Sequence, residues 1–84
     1  MSEIDWSRLR SLTARELIAA LVRDGFQLRQ QRGAHRRYGH PDGRRVTVSF
    51  HGSSETFAPK TLRAMIDSQA KWTQGDLQRL KLLK

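Results

Sequence analysis

The sequence predicts a small α+β fold in the order α-β-β-β-α: a three-stranded antiparallel sheet with its helices on one face, plus a short extra helix at the C-terminus. Three observations carry this. Two capping boxes, Thr13-Ala-Arg-Glu16 and Thr73-Gln-Gly-Asp76, mark helix starts. Between them, residues 26–50 alternate apolar and polar side chains in short runs broken by glycine-containing turns, the pattern of antiparallel strands. Each run has a single apolar face, so sheet and helices must stack as two layers, the other sheet face being left to solvent or a ligand.

The first helix is expected from about Thr13 to Asp24. Leu12 and Leu17 form a hydrophobic staple across its start, Leu17, Ile18, Leu21 and Val22 make the apolar face, and Asp24-Gly25 ends it. Phe26 and Leu28 alternate with Gln27 and Arg29 as a half-buried first strand, and Arg32-Gly33-Ala34 turns the chain into a second, His35 to His40. Pro41-Asp42-Gly43 is a strong turn, because Pro is preset for the first turn position and Gly tolerates positive φ. Val46, Val48 and Phe50 alternate with Arg45, Thr47 and Ser49 in the third strand.

After the polar loop HGSSET, Pro59 suits the first turn of a helix, where its missing N–H costs nothing; Leu62, Met65 and Ile66 give that helix its stripe. A last helix is expected from Gln74 to about Leu83, and Trp6, Leu9 and Leu12 as one packed N-terminal turn. Eighty-four residues make one domain, 1–84, with a core at about 12–72 and the C-terminal helix at 73–84.

The net charge of +8 is unevenly placed. Residues 1–24 hold four basic and four acidic residues, residues 25–50 six arginines and one acid, and residues 51–84 six basic and three acidic residues. The middle third is basic entirely through arginine, whose planar fork of donors matches phosphate oxygens. That points to a polyanion, nucleic acid first and an acidic protein second. Without cysteine there is no disulfide or zinc–cysteine framework. No long apolar run exists and the N-terminal segment carries acids, so a soluble cytoplasmic protein with no membrane association is expected.

The stretch GAHRRYGHPDGRRVTVSFHG concentrates three histidines and four arginines. A three-residue Pro41–Gly43 loop pairs His40 with Arg44, Tyr38 with Val46, Arg36 with Val48 and Ala34 with Phe50. Strand parity then puts Tyr38 with the valines on the apolar face and leaves Arg36 to escape at the edge of the layer. The open face carries His35 across from Ser49 and Arg37 across from Thr47, with His51 diagonal to His35; Arg29 and Arg45 share it. His40 reads as a solvated turn residue. His51 reads either as a loop cap or as a neighbour of His35. His35 alone would be a solvated strand residue, but it stands among arginines beside a glycine turn where a substrate backbone can approach. Histidines five and eleven residues apart, without cysteine or a suitable carboxylate, match no compact metal ligand set. Neither a metal nor another cofactor is expected.

The run Gly33-x-His35-x-x-Tyr38-x-His40-Pro-Asp-Gly-Arg-x-Val46-Thr-Val48-x-x-His51-Gly52, with the leading ARELIAALVRDGF and the trailing PKTLRAMI, resembles the HicA family of toxins, the mRNA-cleaving partners in HicA–HicB type II toxin–antitoxin pairs. The resemblance spans roughly Leu12 to Trp72. It implies a double-stranded-RNA-binding-domain-like fold, and an mRNA endonuclease whose catalytic histidine is that of the Gly-x-His motif, His35. The family usually has Ser where this chain has Ala34, and often Pro where it has Ser49.

On this reading His35 is the catalytic acid or base and His51 a supporting residue, while Arg29, Arg37, Arg45 and Lys60 bind the RNA backbone. Attack by a 2′-hydroxyl would need no metal and would spare DNA. The partners implied are mRNA and a HicB-like antitoxin that masks the His35 face, the toxin alone being monomeric. The alternative is a non-catalytic RNA-binding module of the same fold, reading RNA shape through basic helix ends; only Lys60 stands at such a place.

Overall fold

The computed structural model describes residues 4–83. The one-domain expectation for 1–84 and the reading of the N-terminal segment also take in residues 1–3 and 84, which lie outside the described residues. A 3₁₀ turn, Trp6–Leu9, precedes α1 (Ala14–Arg23), β1 (Gln27–Arg32), β2 (His35–Gly39) and β3 (Arg45–Ser49). Then come α2 (Pro59–Arg63), continued by a π-helical segment Ala64–Gln69, and α3 (Gln74–Arg79). The chain is α+β, with the expected α-β-β-β-α order. No described helix is long and apolar enough to cross a membrane.

Both capping boxes form. Thr13 Oγ1 accepts from the Glu16 amide at 3.2 Å while Glu16 Oε1 accepts from the Thr13 amide at 3.0 Å, a cap that contributes about 1 kcal/mol. Thr73 and Asp76 do the same for α3. At its other end α1 closes through Gly25 at φ +104°, its amide bonding Val22 O while the Phe26 amide bonds Leu21 O, the Schellman arrangement that turns the chain sharply toward the sheet.

Two helix expectations shift. In α1, Ala14, Leu17, Ala20 and Leu21 are buried and Ile18 is half-buried, but Val22 is 58% exposed. The buried stripe is centred on Leu17 and Leu21 with small Ala20 beside them, and Val22 falls one step round the helix to the solvent side. The C-terminal helix ends at Arg79 rather than near Leu83, because the Leu82 and Leu83 amides both fold back onto Leu77 O. Leu80 and Leu83 are both buried beside this turn.

The sheet is a meander in the order β1-β2-β3. The β2–β3 register has the predicted pairs, Arg36↔Val48, Tyr38↔Val46 and His35↔Ser49. The predicted turn closes it with a His40 N–H to Arg44 O bond of 2.9 Å, and the Phe50 amide carries the pattern on to Ala34 O. Tyr38, Val46 and Val48 join Leu17, Leu21, Phe26, Leu62, Met65, Ile66 and Trp72 in one apolar cluster. Arg36 escapes as the register required, its guanidinium lying 4.8 Å from the centre of the Phe50 ring.

The first strand departs from expectation. Phe26 is buried but precedes it, and β1 itself is exposed throughout, Leu28 by 47%. β1 is the sheet edge, and a bulge interrupts its register at Arg29, between Leu28↔Tyr38 and Gln30↔Arg37. The apolar layer covers β2 and β3 and stops short of it.

His40 is a correction as well. It is not solvated: its side chain is 18% exposed, Nε2 donates to Asp24 O at 2.8 Å, and the ring meets Phe26 edge-on at 5.0 Å. On its other side, Nδ1 is approached by the Asp42 amide at 3.1 Å and the Asp42 carboxylate at 2.9 Å. His40 thus pins the β2–β3 turn to the end of α1. Asp24 extends this tie, accepting from the Trp72 indole at 2.8 Å and pairing with Arg79 at 2.8 Å and Arg44 at 3.2 Å. Burial alone would raise the Asp24 carboxyl, but the indole and the two guanidinium groups outweigh it and hold the group below the usual carboxylate range.

Candidate active site

The open face of the sheet is built by parity. With Tyr38, Val46 and Val48 committed to the core, His35, Arg37, Arg45, Thr47 and Ser49 must point the other way, and all are exposed. The β1 residues paired with this row add Arg32, opposite His35, and Gln30, opposite Arg37. The β1–β2 hairpin that brings Arg32 to His35 turns through Gly33 at φ +57°, a conformation that glycine adopts without strain.

His35 is the first residue of β2. Its Nδ1 lies 2.6 Å from Ser49 Oγ, so the serine sets the ring plane and Nε2 has no protein partner among the described residues. The hydroxyl can donate to a bare Nδ1 or accept from a protonated one, so the contact survives either state of the ring. Gln30, Arg32, His35 and Arg37 line a concavity of about 140 Å³. Gln30 and Arg37 are also walls of a larger groove, about 740 Å³, that continues along the hairpin past Arg29, Thr47 and Arg45 to Gly43.

Arg29 reaches this groove by an unexpected route. It is the bulged residue of β1, and its side chain lies across Gly39, where a Cβ would come within 3.0 Å of Nε. Arg44 lines the groove too but is engaged with Asp42, Asp24 and Ala70 O, and it stacks over Phe26. In contrast, Arg29, Arg32, Arg37 and Arg45 meet no carboxylate among the described residues. Arg32 and Arg37 thus stand beside the open imidazole, and Arg29 and Arg45 lie farther along the groove, four guanidinium groups whose planar forks of donors match phosphate oxygens.

The structure does not gather every residue named from the sequence. His35, Arg29, Arg37 and Arg45 share the two adjoining concavities. His51 follows β3 with its amide bonded to Glu55 Oε2 at 2.6 Å, and the Gly52 amide bonds the same oxygen at 2.8 Å. These amides and the nearby His51 lower the Glu55 carboxyl from its ordinary value. His51 makes no hydrogen bond to His35. Lys60 is exposed in the first turn of α2 and lines neither concavity. Arg32 and Gln30 were not singled out from the sequence. The hairpin parity that places Ser49 opposite His35 would have found them, had β1 been extended to the Gly33 turn. Among the described residues no three His, Cys, Asp or Glu side chains come together as a metal ligand set.

A family model described as the HicA toxin of bacterial toxin–antitoxin systems matches residues 14–72, the span from the start of α1 to Trp72. No curated protein gives a significant match to the chain.

Proposed function

The chain belongs to the HicA family of bacterial toxin–antitoxin toxins, and on that premise we propose that it is an RNA endonuclease that cleaves mRNA with His35 as its catalytic group. The observation that carries this reading is the His35 imidazole held by Ser49 at Nδ1, with Nε2 open beside Arg32 and Arg37. Nε2 takes the proton of a ribose 2′-hydroxyl, whose oxygen attacks the adjacent phosphorus. A P–O2′ bond forms, the P–O5′ bond breaks, and the departing 5′-oxygen takes a proton from water or from the supporting His51. Arg37 and Arg32 stabilise the charge that builds on the phosphoryl oxygens. Arg29 and Arg45 hold the neighbouring phosphates, and Lys60 adds charge at a distance.

Because the nucleophile belongs to the substrate, the reaction proceeds without a metal, and DNA binds uncut. The test compares wild type with His35→Ala on mRNA in the presence of a chelator. Cleavage by wild type alone is expected; equal cleavage by both would remove His35 from the mechanism. Arrest of growth on expression separates this nuclease from a passive RNA-binding module, which cells would tolerate.

A toxin of such a pair has an antitoxin partner. A HicB-like antitoxin covers the His35 face and offers carboxylates to Arg37 and Arg45, while the toxin alone is monomeric. A complex in which that face stays open would overturn this arrangement.

A further inference from the structure

The charge around His35 is lopsided along the strand direction. On one side, β2 runs from His35 to Gly39, four residue steps or about 13 Å of strand, and the groove that begins at Arg37 beside the His35 concavity is lined by Arg37, Arg29 and Arg45. A stacked nucleic-acid strand advances about 3.4 Å per nucleotide, so this side holds more than one. On the other side lie the Arg32-Gly33-Ala34 turn, whose one charge is Arg32 opposite His35, and residues 50–58 after β3, which contain no lysine or arginine. The ionisable side chains of that segment are His51 and Glu55, the latter kept anionic by the Gly52 and His51 amides, and the Arg36 guanidinium that reaches it is stacked on the Phe50 ring. Arg15 reaches this loop from α1 but is engaged with Ser53 Oγ at 3.3 Å.

From this asymmetry we infer that the enzyme grips its RNA on one side of the scissile bond only. The strand lies along the β2–β3 hairpin, its cut phosphate at His35 and its bound flank running toward Arg45. The flank beyond His35 is met by Glu55 and leaves the protein. The groove lining named above carries no exposed aromatic ring: Tyr38 is buried and His40 is turned into the Asp24 contact. The bound flank is therefore recognised through its phosphates rather than through stacked bases. The inference rests on the proposal that His35 cleaves RNA, and it adds a polarity to the substrate that the proposal does not contain.

The test uses oligonucleotides with one ribonucleotide embedded in deoxynucleotides, which fixes the bond to be cut, together with the all-RNA parent. Each flank is shortened in turn from six nucleotides to one, and kcat/KM is measured. Shortening one flank is expected to lower kcat/KM at least tenfold, and shortening the other less than twofold. In Arg45→Ala the long and short versions of the sensitive flank should converge, and the salt dependence of binding should weaken by about one phosphate contact, a change of roughly 0.7 in log–log slope. Equal sensitivity to both flanks, or an Arg45→Ala enzyme that keeps the flank dependence, would overturn the inference and leave the nuclease assignment intact. Failure to cut any substrate, the all-RNA parent included, would overturn both.

Discussion

Ser49 Oγ and His35 Nδ1 stand 2.6 Å apart across the β2–β3 ladder, at a directly opposed pair of the sheet. The hydroxyl is neutral, so it orients the imidazole without placing a charge beside it, and it can serve as donor or acceptor as the ring gains and loses a proton. A carboxylate in that place would favour one tautomer. Ser49 is thus a positioning residue for the proposed chemistry. Ser49→Ala should lower kcat about tenfold with little change in KM, and Ser49→Thr, which keeps the hydroxyl and suits a strand, should restore most of it. Steady-state kinetics on a single-site RNA decides this; a rise in KM at constant kcat would place Ser49 in binding instead.

Gly39 makes room for Arg29. Its φ is not positive and the atoms that a new Cβ meets belong to the flexible Arg29 side chain, so Gly39→Ala should alter melting by only a few degrees. It should also push Arg29 out of the groove, weakening RNA binding roughly threefold to tenfold, on the order of 1 kcal/mol. Fluorescence anisotropy with a His35→Ala background, which prevents cleavage, measures the change directly.

The three histidines should separate cleanly under substitution. His35 is exposed and its one side-chain partner is Ser49, so His35→Ala should abolish cleavage while melting within a few degrees of wild type. His40 links Asp24 O, Asp42 and Phe26, and His40→Ala should cost about 2 kcal/mol, or roughly 10 °C in Tm for a domain of this size. Thermal melts and cleavage assays on both variants distinguish the two roles. Loss of stability in His35→Ala alone would reverse them.

Asp24 predicts a pH signature. Its carboxyl is lowered in the folded protein, so its stabilising contribution is fully present above the unfolded carboxylate pKa of about 3.9 and is lost as pH falls through the lower folded value. Asp24→Asn should destabilise the protein at pH 7 by about 2 kcal/mol, since it removes charged partners from Arg44 and Arg79. The gap between variant and wild type should narrow below about pH 4. Melting both proteins across pH 3–7 tests it; a constant gap would mean that the Asp24 charge contributes nothing.

Much of the site was legible because strand parity is a local property. Once Pro41-Asp42-Gly43 was read as a three-residue loop, the pairs His35↔Ser49, Arg37↔Thr47 and Tyr38↔Val46 followed without reference to the rest of the molecule. The same logic held for the capping boxes, where donor and acceptor lie three residues apart. Arg29 was harder, since its position depends on a bulge, and a bulge is a property of two strands rather than one.

The sequence by itself determined the order of elements, the β2–β3 register and the faces of β2 and β3, because each follows from the pattern within one helix start or one hairpin. Only the tertiary structure decided that Val22 and Leu28 face solvent and that His40 is pinned against Asp24 and Phe26. Those outcomes turn on which distant element lies across from each residue. Burial and pairing of that kind are settled when the layers pack, not by periodicity along the chain.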